Sequence, residues 1–304
     1  MDRPRPIVSA TDFSAPSRHA AWRAALLARA AGAPLTLVNT LGGTALDDLR
    51  RWLTQADSTA DAEQAAFAME AEARQRLQAL ADELGQRHGI PVQTELATGH
   101  VVDQVTRHAD AVDAGLLVTG TRGAGFLRGA LLGSTAERIA KRSARPVLMV
   151  RQLPHEPYRR VLVPVDFSDW SQAAIQLARR VAPEATLVLM HAVELPYEGK
   201  MRVAGVNGEV MARYVHSARQ EAESRLRALA AEAGLGDAQV RLSMPGGADP
   251  WMLIVQEEQE QDCDLVVIGR QGRHALDELL LGSTTRMVLA EGSADVLVCS
   301  RRSD

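Results

Sequence analysis

Short apolar runs alternate along the chain with longer segments whose apolar residues recur at helical spacing. In the first half, we predict strands at the apolar runs 6–10, 35–38, 92–96, 116–119 and 147–150. Helices are predicted between them, over residues 14–31, 61–88, 100–110 and 134–142. Because the strands are apolar on both faces, they indicate a parallel sheet that helices cover on both sides.

The second half of the chain repeats the first. The segment 11–14, TDFS, returns as VDFS at 165–168, and the segment 76–81, RLQALA, returns as RLRALA at 225–230. Each copy is about 150 residues long, which is the size of a whole domain rather than of a solenoid repeat. The sequence therefore predicts a duplicated α/β domain.

The second copy follows the same order of elements as the first. We predict its strands at residues 161–163, 186–190, 239–242, 265–268 and 296–298. We place the first domain at residues 1–151 and the second at 159–304, with a linker that contains Pro154 and Pro157 between them. Residues 198–209 are open to two interpretations, a lid over a binding site or a disordered connection.

Composition limits the classes of function that fit. The chain has 304 residues, of which 46% are hydrophobic and 4% aromatic. Its net charge of −4 argues against general affinity for nucleic acid, whereas the scarce aromatic residues and the lack of a long apolar run argue against a membrane protein. Cys263 and Cys299 do not have the spacing of a metal motif or a disulfide framework, and we interpret them as small core residues. Residues 1–6 lack the apolar core of a signal peptide, so we expect a cytoplasmic protein.

Both copies carry the same glycine pattern after their fourth predicted strand. Two glycines separated by two residues are followed, after nine further residues, by Gly-Ser-Thr; the first copy has Gly120, Gly123, Gly133, Ser134 and Thr135, and the second has Gly269, Gly272, Gly282, Ser283 and Thr284. Glycines let backbone N–H groups approach a phosphate without a Cβ in the way. A helix that begins after the last glycine adds free amides and hydroxyl groups. The alternative is an ordinary strand-to-helix turn with a Ser or Thr cap.

This spacing, after a first strand that leads into Asp-Phe-Ser, resembles the universal stress protein family. Both copies match over almost their full length, as in the tandem-domain members of the family. The resemblance implies two doubly wound domains, each with a five-stranded parallel sheet in the order 3-2-1-4-5. In the ATP-binding branch it also implies one ATP in each domain, with Mg²⁺ as an accompanying ion.

The resemblance also assigns roles to particular residues. Asp12 and Asp166 should lie beside the adenine and the ribose, and Thr40 and Ala192 should offer backbone groups to the adenine edge. The glycines and hydroxyl residues of the two loops should hold the ribose and the phosphates. Two other interpretations of Asp12 and Asp166 stay open, namely binding of a metal carried by the nucleotide and capping of the following helix.

The function implied is an ATP-binding, nucleotide-dependent regulator of a stress response that an unidentified protein partner recognises. No His/Glu pair at a fixed spacing is repeated in both copies, so an efficient enzyme is not predicted. A weak ATPase, or an adenylating enzyme of the adenine-nucleotide α-hydrolase-like group, is the alternative, and a scaffold that has lost its nucleotide is a third. An adenylating enzyme would need a Ser-Gly-Gly loop where this chain has residues 12–16, DFSAP. A homodimer is left open.

Overall fold

The computed structural model of the chain describes residues 4–42, 59–123, 133–193, 198–271 and 281–300. The chain divides into two compact units whose main segments are Met1–Pro157 and Tyr158–Cys299. Each unit is a parallel sheet flanked by helices, which confirms the predicted fold class. Within the described ranges, no helix combines the length and the apolar character needed to cross a membrane.

The first unit has its elements where the apolar pattern predicts them. The strands are β1 (Ile7–Ala10), β2 (Leu35–Gly42), β3 (Val92–Gly99), β4 (Leu116–Gly120) and β5 (Val147–Val150). The helices of its described part are α1 (Ala15–Ala31), α2 (Thr59–His88), α3 (Val101–Ala111) and α4 (Ser134–Arg142). The strands lie in the order β3-β2-β1-β4-β5, and all the pairs are parallel.

The second unit repeats this arrangement. Its strands are β6 (Arg160–Pro164), β7 (Thr186–Met190), β8 (Val240–Ser243), β9 (Leu265–Gly269) and β10 (Asp295–Cys299), in the order β8-β7-β6-β9-β10. The helices of its described part are α5 (Asp169–Val181), α6 (Glu198–Val203), α7 (Gly208–Glu232), α8 (Pro250–Glu260) and α9 (Ser283–Glu291). Because residues 198–203 and 208–209 are helical, the interpretation of 198–209 as a disordered connection is wrong.

The central strand of each sheet is where the winding reverses. In the first unit β1 pairs with β2 on one side and with β4 on the other, and in the second unit β6 pairs with β7 and β9. Open α/β sheets of this kind bind ligands beyond the carboxyl ends of the strands at the reversal. The segments that follow β1, β4, β6 and β9 are therefore the first place to look for a site.

Helix α1 approaches this end of the sheet closely because its buried face is made of alanine. Five alanines of α1 have no exposed surface, namely Ala20, Ala21, Ala24, Ala25 and Ala28. All four residues of β1 and all five of β4 are buried as well. Small side chains on the packed face let the backbone of α1 lie near the end of β4, which matters for the site described next.

Candidate functional site

A sharp turn follows β1 in the first unit. Asp12 Oδ1 accepts hydrogen bonds from the Ser14 backbone N–H at 3.0 Å and from Ser14 Oγ at 2.5 Å. Between these two residues, Phe13 has a φ of 64°, in the left-handed region. That region costs a residue with a Cβ about 1–2 kcal/mol, so neighbouring groups must stabilise the turn. Ser14 is also the N-cap of α1, as the sequence predicts.

The second unit forms the same turn with one additional hydrogen bond. Asp166 Oδ1 accepts from the Ser168 N–H at 3.0 Å, from Ser168 Oγ at 2.5 Å and from Ser171 Oγ at 2.8 Å. Phe167, like Phe13, is left-handed, with a φ of 60°. The bonds to Ser14 and Ser168 at the helix starts support the capping interpretation of both aspartates. Within the described residues, no cluster of three His, Cys, Asp or Glu side chains could hold a metal ion.

The additional bond has a cause in the sequence. In the first unit, the hydroxyl of Ser17 lies 3.1 Å from the hydroxyl of Thr11. The residue that corresponds to Thr11 in the second unit is Val165, which has no hydroxyl group. Ser171, which corresponds to Ser17, donates its hydroxyl proton to Asp166 instead.

An arginine from the long helix of each unit lies against the aromatic ring of the turn. Arg76 of α2 has its guanidinium carbon 4.4 Å from the centroid of the Phe13 ring. Arg225 of α7 has its guanidinium carbon 3.8 Å from the centroid of the Phe167 ring. Both distances fall within the range of a cation–π contact. In the second unit the His191 ring also contacts Phe167, with 4.5 Å between the ring centroids.

The glycine loop of the first unit faces the carboxylate of Asp12. A Cβ atom on Gly123 would lie 2.7 Å from Asp12 Oδ2. Gly133 donates its N–H to the Thr121 carbonyl at 2.8 Å, which ties the start of α4 to the loop after β4. The structure therefore brings together Asp12, Gly123 and the start of α4, which are far apart in the sequence.

The second unit closes its loop in the same way. Gly282 donates its N–H to the Arg270 carbonyl at 2.9 Å at the start of α9. Gly272, which the sequence assigns to this loop, lies outside the described residues. Because Gly133 and Gly282 are the N-cap residues of α4 and α9, no cap side chain covers the first amides of these helices. Four hydroxyl residues occupy the first turns of α4 and α9: Ser134, Thr135, Ser283 and Thr284.

Gly120 and Gly269 have a packing role. A Cβ on Gly120 would lie 2.8 Å from the carbonyl carbon and the carbonyl oxygen of Pro16, in the first turn of α1. A Cβ on Gly269 would lie 3.0 Å from Trp170 Cβ, in the first turn of α5. At both positions a Cβ would crowd the contact between the end of a strand and the start of a helix, so glycine is the residue that fits best.

The end of the second strand points a peptide group at the same crevice in each unit. Val38 accepts from the Thr11 N–H at 2.9 Å, and Met190 accepts from the Val165 N–H at 2.7 Å. Backbone groups alternate in direction along a strand, so the peptide groups of Thr40 and Ala192 again point to that side, beyond the end of β1 or β6. The Oγ1 atom of Thr40 is buried and has no hydrogen-bond partner among the described residues.

The residue before Thr40 and the residue before Ala192 each form a side-chain hydrogen bond to the segment that follows the first strand of the unit. Asn39 Nδ2 donates to the Thr11 carbonyl at 2.7 Å. His191 Nδ1 lies 2.8 Å from the Val165 carbonyl, and since a carbonyl only accepts, Nδ1 carries the proton. In this arrangement His191 has a structural role, since it links the end of the second strand to the end of the first.

The two loop arginines differ in burial. Arg122 is exposed in the first unit, whereas Arg270 is half-buried in the second. Burial lowers the pKa of the Arg270 guanidinium from its ordinary value. A guanidinium keeps its charge in proteins, so Arg270 brings a cation to the loop after β9 that could pair with a phosphate.

Two repeats of a doubly wound sheet, each with an Asp-Phe-Ser turn and a glycine loop at the reversal, define a tandem α/β protein with one crevice in each repeat. The chain belongs to the universal stress protein family, whose sequence profile matches residues 4–151 and 157–300. The resemblance found in the sequence is thereby confirmed.

Known proteins agree with this assignment. A universal stress protein of Mycolicibacterium smegmatis is 29% identical over 235 residues, which are 73% of this chain and 74% of that protein. A universal stress protein of Methanocaldococcus jannaschii is 28% identical over 152 residues, covering 47% of this chain and 83% of that protein. The crystal structure of a universal stress protein from Archaeoglobus fulgidus has the same fold, with a TM-score of 0.67 and 19% identity over 98% of both chains.

Proposed function

We propose that each unit binds one adenine nucleotide, with ATP as the expected ligand, at the carboxyl edge of its sheet. The protein then acts as a nucleotide-dependent regulator of a stress response rather than as an efficient enzyme. Binding of the nucleotide would shift the population of surface conformations, and a protein partner would recognise the shifted state. A cytoplasmic location and the domain limits 1–151 and 159–304 belong to the same proposal.

The observation that carries the proposal is the meeting of Asp12 and Gly123 across the crevice of the first unit. A Cβ on Gly123 would lie 2.7 Å from Asp12 Oδ2, so an acceptor for hydroxyl groups and an unobstructed backbone face one another. The uncovered amides at the start of α4 are tied to the same loop through the bond from Gly133 to Thr121. A ribose suits the carboxylate, and a polyphosphate suits the amides.

The end of the second strand supports a ligand at the other end of the crevice. The outward peptide groups of Thr40 and Ala192 supply the donor and acceptor that an adenine edge needs.

The crevice of the second unit supports the same class of ligand with a different affinity. Asp166 Oδ1 accepts a hydrogen bond from Ser171 Oγ, and the half-buried Arg270 adds a cation beside the loop. The described residues contain no cluster of metal-binding side chains. An accompanying Mg²⁺ would therefore be held mainly by the phosphates and water, with Asp12 or Asp166 as a carboxylate for it.

Photolabelling of the full chain with 8-azido-ATP tests the proposal and locates the base. We expect labelled peptides that contain Thr40 and Ala192, and we expect excess ATP to suppress the labelling. The variants Asp12→Ala and Asp166→Ala should each weaken the labelling of their own unit and leave the other unit labelled. Labelling that ATP does not suppress, or that misses both peptides, would overturn the proposal.

A further inference from the structure

In each unit, an arginine of the long helix packs on the strained turn beside the crevice. We propose that Arg76 and Arg225 are positioning residues for the nucleotide crevices. Each guanidinium packs on the phenylalanine of the turn, keeps that residue left-handed, and thereby fixes the aspartate carboxylate that precedes it. This inference rests on the proposed function, because it concerns how the same crevices are held ready for a nucleotide.

The turn is strained in both units, and a strained turn needs support. Phe13 and Phe167 have φ values of 64° and 60°, in a region that favours glycine. Residues with a Cβ stay there only where the surrounding structure holds them. The same strain in two copies of the domain indicates that the turn conformation is a requirement of this position.

The arginines supply a support that comes from outside the turn. Arg76 lies about 60 residues away from Phe13 in the sequence, and a similar separation divides Arg225 from Phe167. Their guanidinium carbons lie 4.4 Å and 3.8 Å from the two ring centroids. A planar cation over a ring face restrains the ring, and the ring restrains the backbone to which it is attached.

Restraining the phenylalanine fixes the carboxylate. Asp12 Oδ1 is bonded to the backbone N–H and the hydroxyl of Ser14, so Phe13 is the residue spanned by these two bonds. A change in the φ of Phe13 would move Asp12 relative to Ser14 and relative to the loop at Gly123. The loop lies so near that a Cβ on Gly123 would be 2.7 Å from the carboxylate.

The two units should depend on their arginines to different degrees. In the second unit, the ring of His191 contacts Phe167 with 4.5 Å between centroids, so Phe167 has a second aromatic support. In the first unit, Asn39 occupies the equivalent place, and an amide provides no ring. Loss of Arg76 should therefore affect its crevice more than loss of Arg225 affects the other.

Site-resolved photolabelling of the full chain with 8-azido-ATP tests the inference. For Arg76→Ala, the concentration that half-saturates labelling of the Thr40 peptide should rise about tenfold, with no change at the Ala192 peptide. Arg225→Ala should produce a smaller rise, confined to the Ala192 peptide. The matched controls are Arg74→Ala and Arg227→Ala, since these exposed arginines pair with Glu70 and Glu223 on their own helices.

A second substitution separates positioning from general stabilisation. Glycine adopts a φ of 64° without strain, so Phe13→Gly should make the arginine unnecessary. In a Phe13→Gly background, Arg76→Ala should therefore cause no further loss of affinity. An equal loss in both backgrounds would overturn the inference, and so would wild-type affinity in the Arg76→Ala protein.

Hydrogen exchange without nucleotide keeps the two proposals distinguishable. The backbone N–H of Ser14 donates to Asp12 Oδ1, so it should exchange faster in Arg76→Ala than in wild type or in Arg74→Ala. An unchanged exchange rate would show that Arg76 does not stabilise the turn, which would overturn the inference. Exchange could be faster in Arg76→Ala even though ATP does not suppress the labelling. In that case Arg76 does stabilise the turn, but the crevices do not bind the nucleotide, and the proposed function is wrong.

Discussion

The backbone of Gly120 lies directly against that of Pro16, so that a Cβ on Gly120 would be 2.8 Å from the Pro16 carbonyl carbon. Because the obstructing atoms belong to the backbone, Gly120→Ala must displace the end of β4 or the start of α1. We expect the free energy of unfolding to fall by about 1–3 kcal/mol. Urea denaturation measures the change.

The second unit and a neutral site provide the controls for Gly120→Ala. Gly269→Ala should be milder, because its Cβ would lie 3.0 Å from Trp170 Cβ and 3.1 Å from the Gln271 carbonyl oxygen, which are longer distances than the 2.8 Å at Gly120. Gly208→Ala should leave stability nearly unchanged, since its Cβ would meet nothing within 4 Å. If Gly120→Ala proved as stable as Gly208→Ala, the packing role of this glycine would be wrong.

Gly123→Ala should weaken nucleotide binding and leave stability unchanged, in contrast to Gly120→Ala. Its new Cβ would meet Asp12 Oδ2 at 2.7 Å, an exposed side-chain atom rather than the backbone that Gly120 meets. Stability should stay near that of wild type, whereas ATP binding in the first unit should weaken at least about tenfold, because the methyl group occupies the space between carboxylate and loop. Calorimetric titration and thermal unfolding of the same preparation measure the two effects. Unchanged ATP binding would remove Gly123 from the site.

His88 should make the first unit sensitive to acid. Burial, together with the positive charges of Arg29 and Arg87, lowers the pKa of His88 from its ordinary value of 6.5. Below pH 6.5 the unfolded chain takes up a proton that the folded chain resists, so the free energy of unfolding falls as the pH falls.

A substitution isolates this contribution. His88→Gln should flatten the decline in stability below pH 6.5 relative to wild type, as measured by urea denaturation at pH 5.5 and at pH 7.5 (two test conditions that bracket the value of 6.5). The exposed His216 of α7 offers a control, and His216→Gln should leave the decline in place. Identical pH profiles for wild type and His88→Gln would contradict the prediction.

Neither cysteine should react while the protein is folded. Burial is the main cause that raises the pKa of Cys263 and of Cys299 to about 12. The thiolate is the reactive form, and both side chains are buried in the folded chain. A chromogenic disulfide reagent should therefore detect two thiols per chain in denaturant and none before unfolding. Rapid reaction of the folded chain would contradict the interpretation of these residues as core residues.

The sequence was sufficient to predict the fold because local pattern and global topology agree. The apolar runs 116–119 and 147–150 became β4 and β5 with little change in their limits. Because the second half of the chain repeats the first, the same order of strands was expected in the second unit. Residues 198–203 were harder to assign, since glycine and valine disfavour a helix that nevertheless forms there.

The details of the crevice were less accessible from sequence, because they depend on tertiary partners. No sequence pattern predicts the left-handed φ of Phe13. The hydrogen bond from Ser171 to Asp166 follows from a single difference between the units, Val165 in place of Thr11. Arg76 and Arg225 did carry a signal, since they occupy the same place in RLQALA and RLRALA. From the sequence alone, that signal indicates only a duplication. The contacts of the two arginines with the rings of Phe13 and Phe167 connect it to the site.

Isothermal titration calorimetry of the full chain with ATP tests the central claim most directly. Two crevices of the same construction predict about two bound nucleotides per chain, with different affinities because Arg270 and the hydrogen bond from Ser171 to Asp166 are particular to the second unit. Chains stripped of any nucleotide that co-purifies should give this result. No heat of binding from such chains, and no nucleotide released on denaturing the original preparation, would contradict the claim.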